Sequence, residues 1–224
     1  MFCLGDCVDR GSIGLEILYE VLATPNITLL KGNHEDFIEQ MGKYTLTLDD
    51  PHFIYSTNLG SLWLSNGAEN TIDDFLSLTK AEQLKLIQKL RELPIEHTYT
   101  SESGNVIHLS HAGKNWRGRN IQKKQRNGLI INSLIWDRDH IYCKDWDGRD
   151  NEYCIHGHTP IQYLHHFLPG MVDWPETRFE IFKYCEGHKI DIDLGSMDTY
   201  TTCLLDLDTL EPIYFKDRTQ PIED

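Results

Sequence analysis

Four times along the chain a short apolar run breaks directly into polar residues of a particular kind. Phe2 to Leu4 runs into Gly5-Asp6, and Ile27 to Leu30 into Lys31-Gly32-Asn33-His34. Val106 to Leu109 runs into Ser110-His111, and Tyr153 to Ile155 into His156-Gly157-His158. Runs this short, rich in β-branched and aromatic residues, predict buried strands. In an open α/β sheet, ligand sites gather at the carboxyl ends of strands, so four motifs distant in sequence are expected on one rim. Between the first two runs, Ile13, Ile17, Leu18, Val21 and Leu22 form a helical stripe, with Ser12 as the expected N-cap and Pro25-Asn26 as the stop. A strand–helix–strand unit of this length predicts parallel pairing.

Residues 40–95 follow a different rhythm. Thr71-Ile72-Asp73-Asp74 opens one helix. Thr79-Lys80-Ala81-Glu82 is a capping box opening another, with Leu84, Ile87, Leu90 and Leu93 expected as its apolar face and Pro94 closing it. The region reads as a helical, cap-like insertion in a single domain spanning 1–224. Ile95 to Thr100 and Asn105 to Leu109, joined by Ser-Glu-Ser-Gly, predict a hairpin. In the tail, strands are expected at Ile190 to Leu194, Thr202 to Leu207 and Ile213 to Lys216.

Composition narrows the classes. A chain of 224 residues can bury one sizeable core. A net charge of −14 argues against a general nucleic-acid binder, which needs a basic face to replace counterions. Against that acidic background, residues 114–126 carry Lys114, Arg117, Arg119, Lys123, Lys124 and Arg126 and no acid. They form either a solvated loop or one that attracts a phosphorylated substrate. Six cysteines (Cys3, Cys7, Cys143, Cys154, Cys185 and Cys203) form no C-x-x-C pair, and no apolar run has the length of a membrane span. A reduced, cytoplasmic protein is expected, without a membrane partner.

The residues after the strands are the chemical ones. Asp6 and Asp9 lie in Gly5-Asp6-Cys7-Val8-Asp9-Arg10-Gly11. Asp6 can bridge cations, Asp9 can hydrogen-bond an imidazole, and Arg10 offers a planar charged fork to phosphate oxygens. In Gly32-Asn33-His34-Glu35, the Asn33 amide oxygen suits a divalent cation and His34 can protonate a leaving oxygen. His111 and His158 supply imidazole nitrogens, which suit Mn, Fe, Zn or Co.

Gly-Asp-x-Val-Asp-Arg-Gly together with Gly-Asn-His-Glu resembles the phosphoprotein phosphatase branch of the calcineurin-like metallophosphoesterases, and within it the small bacterial and phage serine/threonine phosphatases. Two further stretches are similar to that branch: Leu64-Ser65-Asn66-Gly67-Ala68-Glu69 and Leu134-Ile135-Trp136-Asp137-Arg138-Asp139. The resemblance implies an α/β fold, a β-sandwich of mixed sheets flanked by helices. It implies two divalent metal ions (Mn, or Fe/Zn) and a metal-bridging hydroxide that attacks the phosphate monoester of a phosphoprotein or phosphopeptide. Asp6 would bridge the metals, and Asn33, His111 and His158 would complete the second metal's ligands. His34 would be the general acid, oriented by Asp9. Arg10 and Arg138 would clamp the phosphate, and His156 would be a strand-end neighbour rather than a ligand.

The family also carries an Asp-x-His-Gly motif on a strand upstream of Asp6, which supplies the first metal's other ligands and has no counterpart here. The first strand of the sheet is therefore expected to be missing, and with it affinity at that metal. A symmetrical diadenosine-polyphosphate hydrolase and a non-catalytic phosphate-binding module are the alternatives. The former group usually has a neutral residue where Asp9 stands and Asp where Glu35 stands, which favours the protein phosphatase.

Overall fold

The computed structural model describes residues 1–114, 123–126, 129–138, 140–142, 146, 148–167 and 179–217. The chain opens with β1 (Phe2–Cys3), α1 (Gly14–Ala23) and β2 (Thr28–Leu29). The two strands pair in parallel, Phe2 opposite Thr28 and Cys3 opposite Leu29, as the crossover predicts. The helix begins one residue later than expected: Ile13, not Ser12, occupies its N-cap and offers no side-chain acceptor. Leu15 and Leu18 face the core while Ile13 and Ile17 are exposed. The chain leaves the Asp9-Arg10 turn before the helix starts, so the buried face is rotated from the stripe read in the sequence.

Five helical segments then follow: α2 (Asn33–Thr45), a 3₁₀ turn (Pro51–Ser56), α3 (Asn58–Leu64), α4 (Glu69–Ser77) and α5 (Lys80–Glu92). The Thr79 capping box forms as its spacing requires, the hydroxyl accepting from the Glu82 amide and the Glu82 carboxylate from the Thr79 amide. The buried face of α5 is Gln83, Leu86, Ile87 and Leu90, whereas Leu84 is 57% exposed. Gln83 displaces it because its amide donates to the Phe75 carbonyl at 2.8 Å, which joins α5 to α4. These helices share one core, centred on Phe37, Trp63, Phe75 and Leu90.

A five-stranded mixed sheet carries the second half of the site. Its strands are β3 (Glu96–Thr100), β4 (Val106–Ser110), β7 (Glu152–His156), β8 (Phe182–Tyr184) and β9 (Lys189–Asp191), in the order β3-β4-β7-β9-β8. The expected β3–β4 hairpin is antiparallel, and β4, β7 and β9 run parallel. The parallel strands bury Ile107, Leu109, Ile155 and Ile190, against which Phe2, Leu4, Leu205 and Leu207 pack. Between β4 and β7 in sequence lie the β5 (Lys123–Arg126) and β6 (Leu129–Asn132) ribbon and α6 (Ser133–Trp136). Short helices α7 (Leu164–Phe167) and α8 (Ser196–Thr199) and the antiparallel pair β10 (Thr201–Leu205) and β11 (Pro212–Lys216) complete the chain. The fold is thus α/β, with mixed sheets flanked by helices. Among the described residues, no helix is long and apolar enough to cross a membrane.

Candidate active site

Asp6 follows β1, Asn33 opens α2 directly after β2, His111 follows β4, and His158 follows β7. Parallel pairing of β1 with β2 and of β4 with β7 puts each pair at the same strand ends. The backbone is strained where it turns. Asp6, Asp9, Arg10 and His158 all have left-handed φ, between 60° and 70°. Non-glycine residues adopt this conformation only where surrounding contacts impose it. The two entry loops also touch. A Cβ on Gly32 would lie 2.3 Å from Asp6 Oδ1, so only glycine lets the α2 terminus approach Asp6.

Glu35 ties these loops together. It is fully buried, and its carboxylate accepts from the amides of Asp6 at 2.8 Å, Cys7 at 2.7 Å and Gly32 at 2.9 Å. Burial and the charge of Asp6 push its pKa up, and the amide donors oppose them. Nearby, the Cys3 and Cys7 sulfurs are 3.6 Å apart, half-buried against the helical core. All five cysteines among the described residues are free thiols.

Four donor atoms converge on one point. His111 Nε2 is 2.9 Å from Asn33 Oδ1, 3.2 Å from His158 Nδ1 and 3.3 Å from Asp6 Oδ1, and Asn33 Oδ1 is 2.7 Å from His158 Nδ1. The tautomer of His111 is fixed from behind, because its Nδ1 lies 2.8 Å from the Leu4 carbonyl, which can only accept. In neutral His111, Nε2 is therefore a bare lone pair aimed at an amide oxygen, a carboxylate oxygen and a second imidazole nitrogen. So many acceptors with so few protons suit a divalent cation, and the N/O set is one that Mn, Fe or Zn accept. Asp6, His111 and His158 are the one group of three such ligands among the described residues. Burial above all, with the neighbouring Arg138 charge adding to it, holds His158 well below the usual histidine range, which keeps a lone pair available.

Beside this cluster lies a buried histidine–aspartate pair. His34 Nδ1 donates to Asp9 Oδ2 at 2.6 Å, and its Nε2 accepts from Arg10 Nη2 at 2.7 Å and lies 3.8 Å from Asp6 Oδ2. Burial lowers the His34 pKa, but Asp6 and Asp9 outweigh it and the net shift is upward. Burial also raises Asp6, but His111, His34 and the His34 amide more than offset it, so that carboxyl is held low. Arg10 is exposed, open to a phosphate from solvent. Arg138 donates from Nε to Thr159 Oγ1 at 3.0 Å, one residue beyond His158. Burial lowers its pKa, and the neighbouring carboxylates of Asp193 and Asp6 oppose that.

The model of the calcineurin-like phosphoesterase family matches residues 1–162, most of the chain and every residue of this cluster. The chain belongs to the calcineurin-like phosphoesterase family. No curated protein matches it. A crystal structure of a hypothetical protein from Pyrococcus horikoshii OT3 is similar at 15% identity and a TM-score of 0.41, covering 97% of this chain and 75% of that one. For this phosphoesterase, membership means metal-dependent phosphoester hydrolysis by divalent ions, for which the Asp6, His111 and His158 group is the candidate site.

His156 turns away from the cluster. Its Nδ1 donates to the Gly157 carbonyl at 3.2 Å, and its Nε2 meets the Tyr184 hydroxyl at 2.8 Å and His140 Nε2 at 3.3 Å. Of the basic segment, 115–122 lies outside the described residues, as do Asp139 and Cys143. Lys114 pairs with Glu96 at 3.0 Å. Sequence reasoning missed the Glu35 clamp and the contacts that α3 and α4 make with the Asp9-Arg10 turn. The Glu at the third helical position after Gly32 was the available signal for the first.

Proposed function

We propose that this phosphoesterase hydrolyses phosphate monoesters on phosphoserine and phosphothreonine side chains of proteins. The observation that carries the reading is the buried His34–Asp9 dyad at 2.6 Å, set beside a cation-type donor cluster with Arg10 between it and solvent. Asp6, Asn33, His111 and His158 would hold one divalent ion, and Asp6 would share its carboxylate with a second. Manganese fits this donor set. Bound divalent ions supply Lewis-acid charge and a water of lowered pKa.

The chain's own residues do the rest. Arg10, exposed to solvent, takes the phosphate's equatorial oxygens, and Arg138 assists. As Arg10 moves onto phosphate, it leaves His34 Nε2, whose lone pair it occupies in the free protein. His34 Nε2 can then carry a proton, favoured by Asp6 and Asp9, and gives it to the departing serine or threonine oxygen. Asp9 holds the opposite ring nitrogen and stabilises the charged imidazolium. A protonated His34 is of most use where the leaving alkoxide is strongly basic, which favours Ser and Thr esters. The free thiols and the acidic surface suit a reducing, cytoplasmic setting.

The test is phosphate release from phosphoserine and phosphothreonine peptides with added Mn²⁺, beside phosphotyrosine peptide and diadenosine tetraphosphate at equal concentration. The proposal expects the first two to turn over fastest. Faster cleavage of the dinucleotide, or no hydrolysis of any of them by folded protein, contradicts it.

A further inference from the structure

The dyad is held by the helices that pack over it. Asp9 and Arg10 sit at φ 66° and 61°, and residues from α3, α4 and the turn between them grip both. Thr71 Oγ1 accepts from the Asp9 amide at 3.0 Å, and the Gly67 carbonyl accepts from the Arg10 amide at 2.6 Å. Asn70 Nδ2 donates to the Gly11 carbonyl at 3.2 Å. On the carboxylate itself, Asp9 Oδ2 accepts from Trp63 Nε1 at 3.1 Å as well as from His34. Asp9 Oδ1 is buried and has no hydrogen-bond partner, so both donors pull on one oxygen.

Trp63 is itself enclosed by the core. It is fully buried, and its indole stacks on Phe37 with centroids 6.2 Å apart and planes 14° from parallel. Phe37 in turn meets His34 edge-on at 6.2 Å. A buried indole N–H needs an acceptor. Here the acceptor is the carboxylate that orients the acid.

We propose that Trp63 is a positioning residue for the acid step, fixing the Asp9 carboxylate so that His34 presents Nε2 to the leaving group. The inference rests on the reading of His34 as the acid. Without the indole N–H, Asp9 keeps one side-chain donor, and rotation of its carboxylate frees the imidazole from its productive orientation. Charge-assisted hydrogen bonds of this kind are worth enough to cost about tenfold in rate when removed.

The experiment compares two leaving groups. Dinitrophenolate departs without a proton, whereas phenolate needs one. Trp63→Phe, which keeps an aromatic ring against Phe37 but removes the N–H and the outer ring of the indole, is assayed on both aryl phosphates with Mn²⁺, with His34→Asn alongside. The expected result is a kcat about tenfold lower on phenyl phosphate, KM within about twofold, and little change on dinitrophenyl phosphate. His34→Asn should show the same selectivity more strongly. If His34→Asn is indifferent to leaving group, the acid assignment is wrong. If it is selective and Trp63→Phe falls equally on both substrates, or on neither, the positioning role is overturned. A second readout needs no turnover: the proton NMR signal of His34 Nδ1–H should move in Trp63→Phe, and an unmoved signal also overturns the role. Should the Phe variant fail to fold by circular dichroism, the benzothiophene analogue of tryptophan at position 63, which replaces N–H by sulfur, carries the same test.

Discussion

Glu35 Oε2 accepts the backbone amide of Asp6 at 2.8 Å across 29 residues of sequence, so an acidic residue in the first turn of α2 also sets the position of the candidate bridging carboxylate. The same carboxylate accepts from Cys7 and Gly32. Glu35→Gln puts an amide NH₂ against at least one of these N–H donors. Leaving a buried donor unmet costs about 1–3 kcal/mol. Urea denaturation of the metal-free variant should show a loss of that size, and calorimetry should show weaker Mn²⁺ binding because Asp6 is displaced. Unchanged binding with reduced stability would mean that Glu35 braces the fold without aligning the ligand.

Gly32→Ala addresses the same junction sterically. Its Cβ would lie 2.3 Å from Asp6 Oδ1 and 2.6 Å from the Asp6 amide. The φ of −89° is ordinary for alanine, so the penalty is contact alone. Overpacking of this kind costs about 1–3 kcal/mol. The variant is expected to lose metal-dependent turnover at least tenfold more than it loses KM, read from steady-state kinetics.

Acid should destabilise the metal-free protein through His140 and His156. Both are buried, with their Nε2 atoms 3.3 Å apart, and burial drives both pKa values down, that of His156 to about 3. In the unfolded chain a histidine titrates near about 6.5. Between those values the unfolded state holds protons that the folded state refuses, so stability is full above pH about 6.5 and falls as the pH drops below it. Each such histidine steepens the fall by about 1.4 kcal/mol per pH unit. His140→Gln should flatten the dependence of Tm on pH between about 7 and 5 relative to wild type, in chelator-treated protein. An identical slope would mean that His140 accepts a proton in the folded state.

Much of this architecture was legible in the chain. The strand-end pattern placed Asp6, Asn33, His34, His111 and His158 on one rim because each motif breaks a buried run, and the structure brings those five together. The Thr79 box and the β3–β4 hairpin are local signals and formed as read. Leu84 and Ser12 failed because periodicity cannot choose between a leucine and a glutamine whose amide finds a buried carbonyl, nor see the left-handed turn that delays α1. The capping-box spacing flags Glu35 at Gly32, but its reach to Asp6 and Cys7 and the grip of Trp63 and Thr71 on Asp9 are tertiary hydrogen bonds between residues 28 to 62 apart, which spacing does not encode.

The central claim is that Asp6 anchors a catalytic divalent ion. The most direct measurement is Mn²⁺ titration by calorimetry, paired with Mn²⁺-dependent phosphate release, on wild type and Asp6→Asn. The account predicts that the variant stays folded, binds Mn²⁺ at least a hundredfold more weakly and loses turnover. Equal binding and turnover in the variant would contradict it.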